Sequence, residues 1–354
     1  MRSLPALRCY FSGEMKAFLE QETKQFDVKL NSGDNVIVQD AEEEGEVFIT
    51  ACIDWMNATS GSKKKVGGLD IPHRIDLGAP VYKIFSSSSA LHMFIVLNDR
   101  KSLYSFGKND HGQLGTGNVN FTNWPRQVVN PITENITKAS LGKSHTLVLF
   151  QSGDVYGCGA NNCGQLGLGD GVRASADSLV LTKISLDNIR DIACGSEFSL
   201  ACDQDGRLYS FGHPEYGQLG SGSCGQYIKD GGNGPAIQYN YVSRPLLVNK
   251  FRSKDNIRKT YVDISVGDVK VVSVAAGKNH SLCIETDRDG GLNRVFSWGF
   301  GGYGRLGHNG ADDEFYPLEI STFSGHRNAP MKQVQFHHIL PPSLPTIISY
   351  TSYH

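Results

Sequence analysis

The sequence lacks any long hydrophobic run: no apolar stretch approaches the roughly 18 residues that a membrane-spanning helix requires. It lacks a charge excess. Thirty-four basic residues stand against 36 acidic ones, a net charge of −2 over 354 residues. Bulk charge therefore draws in neither nucleic acid nor a membrane surface, and any such contact must come from a local patch. It lacks a secretory opening, because Pro5 and Arg8 interrupt MRSLPALRCYF. Without export, the Asn-x-Ser/Thr triplets at Asn57, Asn120, Asn135 and Asn279 read as chance polar sequence. It also lacks a cysteine framework. The eight cysteines (Cys9, Cys52, Cys158, Cys163, Cys194, Cys202, Cys224 and Cys283) are scattered, several of them inside apolar runs. Buried thiols in a reducing compartment fit this pattern better than disulfides. Cys158 and Cys163 have four residues between them, but no His or Cys pair follows at finger-like distance, so no metal is expected.

Glycine is what the chain has in excess: 40 of 354 residues, against a usual level of about 7%. The glycines are periodic. Residues 107–115 read GKNDHGQLG, 159–167 GANNCGQLG, 212–220 GHPEYGQLG and 299–307 GFGGYGRLG. Each follows an apolar-aromatic run: LYSF at 103–106, VY at 155–156, LYSF at 208–211 and VFSW at 295–298. The first glycines, Gly107, Gly159, Gly212 and Gly299, stand 52, 53 and 87 residues apart. A second motif lies upstream of the later signatures: LGKSHTLVL at 141–149, CGSEFSLAC at 194–202 and AGKNHSLCI at 276–284. Gly142 and Gly195 each precede the next signature by 17 residues and Gly277 by 22, so the last copy carries a five-residue hairpin insertion around Asp289, Gly290 and Gly291. Two motifs that keep phase identify a repeat.

Within one period the pattern is four short strands. In the second copy they read 179–184, 189–194, 199–202 and 207–211, each apolar, β-branched or aromatic and bounded by Gly, Asp, Asn or Ser. Nothing at helical spacing lasts ten residues between Val96 and Ser321. About 52 residues carrying four antiparallel strands is the size of a propeller blade. Each signature then forms a tight turn on a strand leaving the crowded inner end, where positive φ or close backbone contact excludes a Cβ. The turn positions are Gly107, Gly112 and Gly115, then Gly159, Gly164 and Gly167, Gly212, Gly217 and Gly220, and Gly299, Gly304 and Gly307. Leu114, Leu166, Leu219 and Leu306 are expected to point back between blades as core plugs.

These motifs resemble the repeat of the regulator of chromosome condensation family, whose members build seven-bladed propellers. The stretches SFGHPEYGQLG at 210–220, VFSWGFGGYGRLGH at 295–308 and VSRPLLV at 242–248 are similar to the telophase-disc branch of that family. The resemblance runs from about Gly45 to Phe323, with GEVFITACIDWMN at 45–57 as a degenerate first copy that lacks its turn glycine. The expected fold is an all-β propeller of four-stranded antiparallel blades, incomplete, an open arc of about five blades out of seven. Residues 1–44 are assigned to a tail with a short amphipathic helix over 13–24, residues 45–323 to the partial propeller, and residues 324–354 to a tail without repeat sequence. An open arc leaves the last blade without a successor, so Leu306 and Trp298 are expected to be exposed, or covered only by the tail with Phe336, Ile339 and Leu340.

The tempting sites each have a plainer reading. Gly107 and Gly112 have the spacing of a phosphate loop, but Gln113 stands where its lysine belongs; Gln165 and Gln218 repeat this, and Gly304 is followed by Arg305 and then Leu306. None precedes a helix, so no nucleotide or other cofactor is expected. His145 and His280 fall in one column of the repeat beside Thr146 and Ser281. A residue recurring blade after blade reads as structural, and Phe198 in the same column shows that an imidazole is not required for the turn. The acidic cluster Glu42, Glu43, Glu44 and Glu46 reads as a solvated linker, and the triplet Lys63, Lys64 and Lys65 as a loop or a minimal import signal.

The spacer between the third and fourth signatures is different. It carries Gly225, Gly231, Gly232 and Gly234, the aromatics Tyr227, Tyr239 and Tyr241, and, between Arg244 and Lys259, six cations against one anion. Arg252, Lys254 and Lys259, with the three tyrosines, are the candidate partner-binding residues, on a local charge of +5. The alternative is a solvated insertion with a basic strand.

Without a catalytic constellation, the chain reads as a binding module rather than an enzyme. The resemblance implies protein partners: small GTPases of the Rac, Ral and Arf kinds, and centromeric, spindle and cytoskeletal components. It implies guanine-nucleotide exchange activity and a place in cytoplasm, cytoskeleton and nucleus, with nuclear import weakened because the family branch has a basic tail and this chain an acidic one. Two alternatives stay open: an interaction scaffold without exchange activity, and a non-functional truncated product.

Overall fold

The computed structural model describes residues 7–12, 35–40, 47–51, 69–87, 89–169, 176–231, 234–255, 258, 260–286, 293–323, 334–337 and 347–350. They are almost entirely strand. The helical elements among them are single 3-10 turns at Val266–Asp268, Gly302–Gly304 and Ser321–Phe323.

Among the described residues, five antiparallel blades, each with four strands of its own, follow one another. The first contains β1 (Leu7–Ser12), β2 (Asn35–Asp40), β3 (Val47–Ala51) and β4 (Leu69–Ile75). The second contains β5 (Val81–Phe85), β6 (His92–Leu97), β7 (Leu103–Gly107) and β8 (Thr122–Gln127). The third contains β9 (Ile136–Leu141), β10 (His145–Phe150), β11 (Val155–Gly159) and β12 (Ser178–Lys183). In the fourth, β13 (Ile189–Cys194), β14 (Phe198–Asp203) and β15 (Leu208–Gly212) are completed only after an inserted hairpin of β16 (Gln226–Gly231) and β17 (Gly234–Tyr239), by β18 (Val242–Leu247). A second hairpin of β19 (Phe251–Asp255) and β20 (Thr260–Ile264) precedes the fifth blade, β21 (Val271–Ala276), β22 (His280–Thr286), β23 (Asn293–Gly299) and β24 (Glu314–Glu319). β19 joins β24 in parallel at Arg252 and Leu318, so the fifth sheet has six strands.

Strand character follows position in the blade. β10 and β14 are buried along their whole length, because neighbouring blades press on both faces. β8 and β18 are outermost and largely exposed. They hold Pro125 and Pro245, whose missing N–H is tolerated on an edge. The core lies at the seams. Leu166 packs with Leu147 and Ile184 of the third blade and Ile192 and Phe211 of the fourth. Leu219 packs with Phe198 and Leu200 of the fourth and Phe296 and Trp298 of the fifth. All four plug leucines are buried, as the sequence pattern requires.

Three expectations change. The period counted in sequence places 179–184 with 189–211, but hydrogen bonding joins β12 to β11, so that strand closes the preceding blade. Any four consecutive strands satisfy the sequence pattern; only pairing decides which four share a sheet. The first blade also starts upstream of residue 45, since β1 and β2 pair in series onto β3; residues 13–24, expected to be helical, lie outside the described residues. Finally, Trp298 and Leu306 are buried, not exposed. Alternation along β23 turns Phe296 and Trp298 toward the preceding blade and Val295 to the other face. That other face is also covered: Leu282, Ile284 and Ile320 are buried with Val295. β25 (Val334–His337), paired with β26 (Ile347–Tyr350), lies against β21 and β22. This is the place that β13 takes against β9 and β10, so β25 stands where the first strand of a further blade would.

Candidate functional site: the turn rim and its two inserted hairpins

The turn signatures gather on one rim and are held there by a relay of buried polar groups. In the first turn His92 Nε2 lies 2.7 Å from Thr146 Oγ1, and Thr146 Oγ1 donates to the Gln113 carbonyl at 3.0 Å. One blade on, His145 Nε2 lies 3.0 Å from Ser199 Oγ, and Ser199 Oγ donates to the Gln165 carbonyl at 2.8 Å. Each hydroxyl has one proton and gives it to the carbonyl, so the imidazole N–H must donate to the hydroxyl. Burial lowers the pKa of both His92 and His145 to about 3, which keeps the rings neutral. At the next seam Phe198 replaces the histidine. Ser281 Oγ still donates to the Gln218 carbonyl at 2.7 Å, and the Trp298 indole N–H adds a bond to the same oxygen at 2.9 Å. These histidines are seam fasteners. His92 belongs to their column although the sequence reading missed it, because 86–89 is SSSS where the later copies have glycine. The signal that could have found it is the run MFIVL at 93–97, directly behind it.

The glycines make room for this. Gly159 has φ +100°, and a Cβ on it would overlap the Ser144 carbonyl oxygen. Gly142, Gly195 and Gly277 have ordinary φ, but a Cβ on each would overlap the ring of His145, Phe198 or His280 respectively. The seventeen-residue phase of the two motifs reflects hairpin register, since His145 on β10 pairs with Gly159 on β11 and Phe198 on β14 with Gly212 on β15.

The fifth residue of each signature varies: His111, Cys163, Tyr216 and Tyr303. His111 Nδ1 meets Asp177 at 2.8 Å, Tyr216 packs on Phe300 with ring centroids 5.0 Å apart, and Tyr303 is exposed. Cys163 is buried beside Glu197 and His213, with one ligand-type atom of each within 4.8 Å of the others. Burial, with the Glu197 charge next, pushes its thiol up to about 11. The six described cysteines are thiols.

The predicted partner-binding residues fall into two groups. Tyr227, Tyr239 and Tyr241 belong to the first hairpin and its exit. Tyr239 and Tyr241 flank His213 at 5.2 and 5.1 Å, and Tyr239 donates to Glu215 at 3.2 Å. The hairpin itself presents Ile228 and Ile237, directly opposed across its two strands and 71% and 58% exposed. Arg252 and Lys254 lie on β19, in the second hairpin; Lys259 lies outside the described residues. Part of the local charge is answered. Asp263, just beyond the stretch counted in sequence, binds Lys250 at 2.7 Å and Arg252 at 3.1 Å, and both cations hold its carboxyl below the ordinary value. Arg252 also stacks 4.2 Å over Tyr316, while Lys254 lies 5.9 Å over Tyr261. Sequence distance made one insertion of what the fold separates, because β18 returns between the hairpins to close the fourth blade. Among the described residues no helix is long and apolar enough to cross a membrane.

Comparison with known proteins agrees with this geometry. The family described as "Regulator of chromosome condensation (RCC1) repeat" matches residues 102–149, 152–202, 205–284 and 293–338, the last reaching into the segment where β25 lies. Protein RCC2 homolog of Xenopus laevis is 35% identical over 308 residues, 83% of this chain and 56% of that protein. Protein RCC2 of Homo sapiens is 39% identical over 254 residues, 71% of this chain and 46% of that protein. The chain therefore spans about half the length of these relatives. Among solved structures, yeast RCC1 (Prp20) bound to Kap60 superimposes with a TM-score of 0.60 at 19% identity, over 91% of this chain and 64% of that one, a likeness of fold. Signature turns, seam histidines, blade order and repeat matches converge: the chain belongs to the regulator of chromosome condensation (RCC1) repeat family.

Proposed function

We propose that this propeller is a protein-binding scaffold linked to small-GTPase regulation, in the manner of a guanine-nucleotide exchange factor. The observation that carries the reading is the first inserted hairpin, which stands on the turn rim with Ile228 and Ile237 opposed and exposed. An apolar cross-strand pair, with Tyr239 two residues along on the same face of the hairpin, has the composition of an interface centre, with polar rim around it. Exchange requires no covalent step from the propeller. It requires only a surface that binds the nucleotide-free GTPase better than the loaded one. The partners inferred from the family resemblance are GTPases of the Rac, Ral and Arf kinds and centromeric, spindle or cytoskeletal proteins, met inside the cell.

The test is nucleotide release from a panel of small GTPases loaded with a fluorescent guanine nucleotide. Accelerated release by the parent chain, lost in Ile228→Asp/Ile237→Asp with unchanged far-UV circular dichroism, supports the reading. A second reading, a scaffold without exchange activity, is favoured by the same exposed pair, which accounts for binding alone. Partner capture without accelerated release supports it instead.

A further inference from the structure

We propose that Cys163, Glu197 and His213 form a binding site for a thiophilic divalent cation, of which zinc is the natural candidate. The sequence offers Cys163 no partner, since Glu197 and His213 are 34 and 50 residues away. The fold supplies both. Cys163 is the variable fifth residue of the third blade's signature turn, held by its own N–H to Gln165 Oε1 at 2.8 Å. Glu197 and His213 flank adjacent strands of the fourth blade, one residue before Phe198 and one after Gly212, and His213 N donates to the Glu197 carbonyl at 2.9 Å. One ligand-type atom from each of the three lies within 4.8 Å of the other two. A tetrahedral zinc, with bonds of about 2.0–2.3 Å, needs its ligands roughly 3.3–3.8 Å apart. Closing that difference requires the side chains of Glu197 and His213, both half-buried, to shift toward the buried Cys163.

Donor chemistry selects the ion. A thiolate and an imidazole favour zinc, cobalt and their neighbours over magnesium or calcium, and one carboxylate completes three protein ligands with a fourth position left for water. The present partners of these groups are replaceable. Lys143, mostly exposed, bridges to Glu197 at 3.2 Å. The Glu215 amide reaches His213 Nδ1 at a long 3.3 Å, and the Tyr241 hydroxyl reaches the thiol. A bound ion would tie the third blade's turn to the fourth blade, across a seam that packing, the His145 relay and the Lys138–Asp191 pair also hold.

The test uses the full chain titrated with Co²⁺ and then Zn²⁺. The expected result is one cobalt per chain with a thiolate-to-cobalt charge-transfer band that Zn²⁺ removes. Cys163→Ser abolishes the band and His213→Phe weakens binding at least tenfold, whereas Cys224→Ser, a half-buried thiol elsewhere, changes neither. Alkylation of the parent chain, mapped by peptide mass, gives the answer without a variant: Zn²⁺ slows modification of Cys163 at least tenfold and leaves Cys224 unchanged. No band, a band that survives Cys163→Ser, or equal alkylation of Cys163 with and without Zn²⁺ overturns the proposal.

Discussion

Replacing Ser199 with alanine tests the seam relay most directly. The hydroxyl donates to the Gln165 carbonyl at 2.8 Å and accepts from His145 Nε2 at 3.0 Å. Its removal orphans two fully buried groups, one on each side. A buried donor or acceptor without a partner costs about 1–3 kcal/mol, so Ser199→Ala is expected to cost about 2–5 kcal/mol. His145→Phe is expected to cost less, about 1 kcal/mol, because Ser199 keeps its bond to the carbonyl. Phe198 already fills the equivalent gap above Gly195, so the ring fits. In the double variant no imidazole N–H is left to orphan, so its cost falls short of the sum by about 1–2 kcal/mol. Urea unfolding followed through the fluorescence of buried Trp298 measures all three. A Ser199→Ala cost under about 0.5 kcal/mol, a His145→Phe cost above that of Ser199→Ala, or strict additivity would refute the relay.

Further outcomes follow from the same geometry. Burial holds the pKa of His92 and His145 at about 3, below the ordinary 6.5. The unfolded chain therefore binds more protons below pH 6.5, and the stability these rings contribute is lost as pH falls from there toward 3. From pH 7 to pH 5 the loss is about 2 kcal/mol for each ring; urea midpoints across that range should show it, and His145→Phe should remove about half. Gly159→Ala is expected to cost at least about 2 kcal/mol, because φ is +100° and the Cβ meets a carbonyl. Gly78→Ala, at φ +75° with open space around it, should cost only about 1 kcal/mol, and equal urea midpoints for the two variants would contradict the crowding argument. Asp191 accepts from Lys138 Nζ at 2.6 Å, Ser273 Oγ at 2.9 Å and Val274 N at 3.0 Å, tying the inner strands of three blades. Asp191→Ala should cost about 2–3 kcal/mol, with amide exchange rising first in β9 and β21.

The sequence by itself determined the blade. Twelve signature glycines, four plug leucines and the phase between two motifs leave few other folds open, because they encode local requirements: positive φ, a ring-sized gap, an apolar stripe. The structural role of His145 and His280 was legible for the same reason, since a local device repeats with the turn it serves. Three things were not local and only the tertiary structure decided them. Pairing assigned β12 to the preceding blade and showed that β1 and β2 belong to the first one. Packing covered the fifth blade's far face, and buried Trp298 against the fourth, where a count of missing blades implied exposure. The return of β18 split one basic, aromatic spacer into an apolar hairpin and a basic hairpin in which Asp263 binds Arg252 and the neighbouring Lys250. The meeting of Cys163 with Glu197 and His213 has the same origin. Residues 34 and 50 positions apart become neighbours only when one blade's turn is laid against the next.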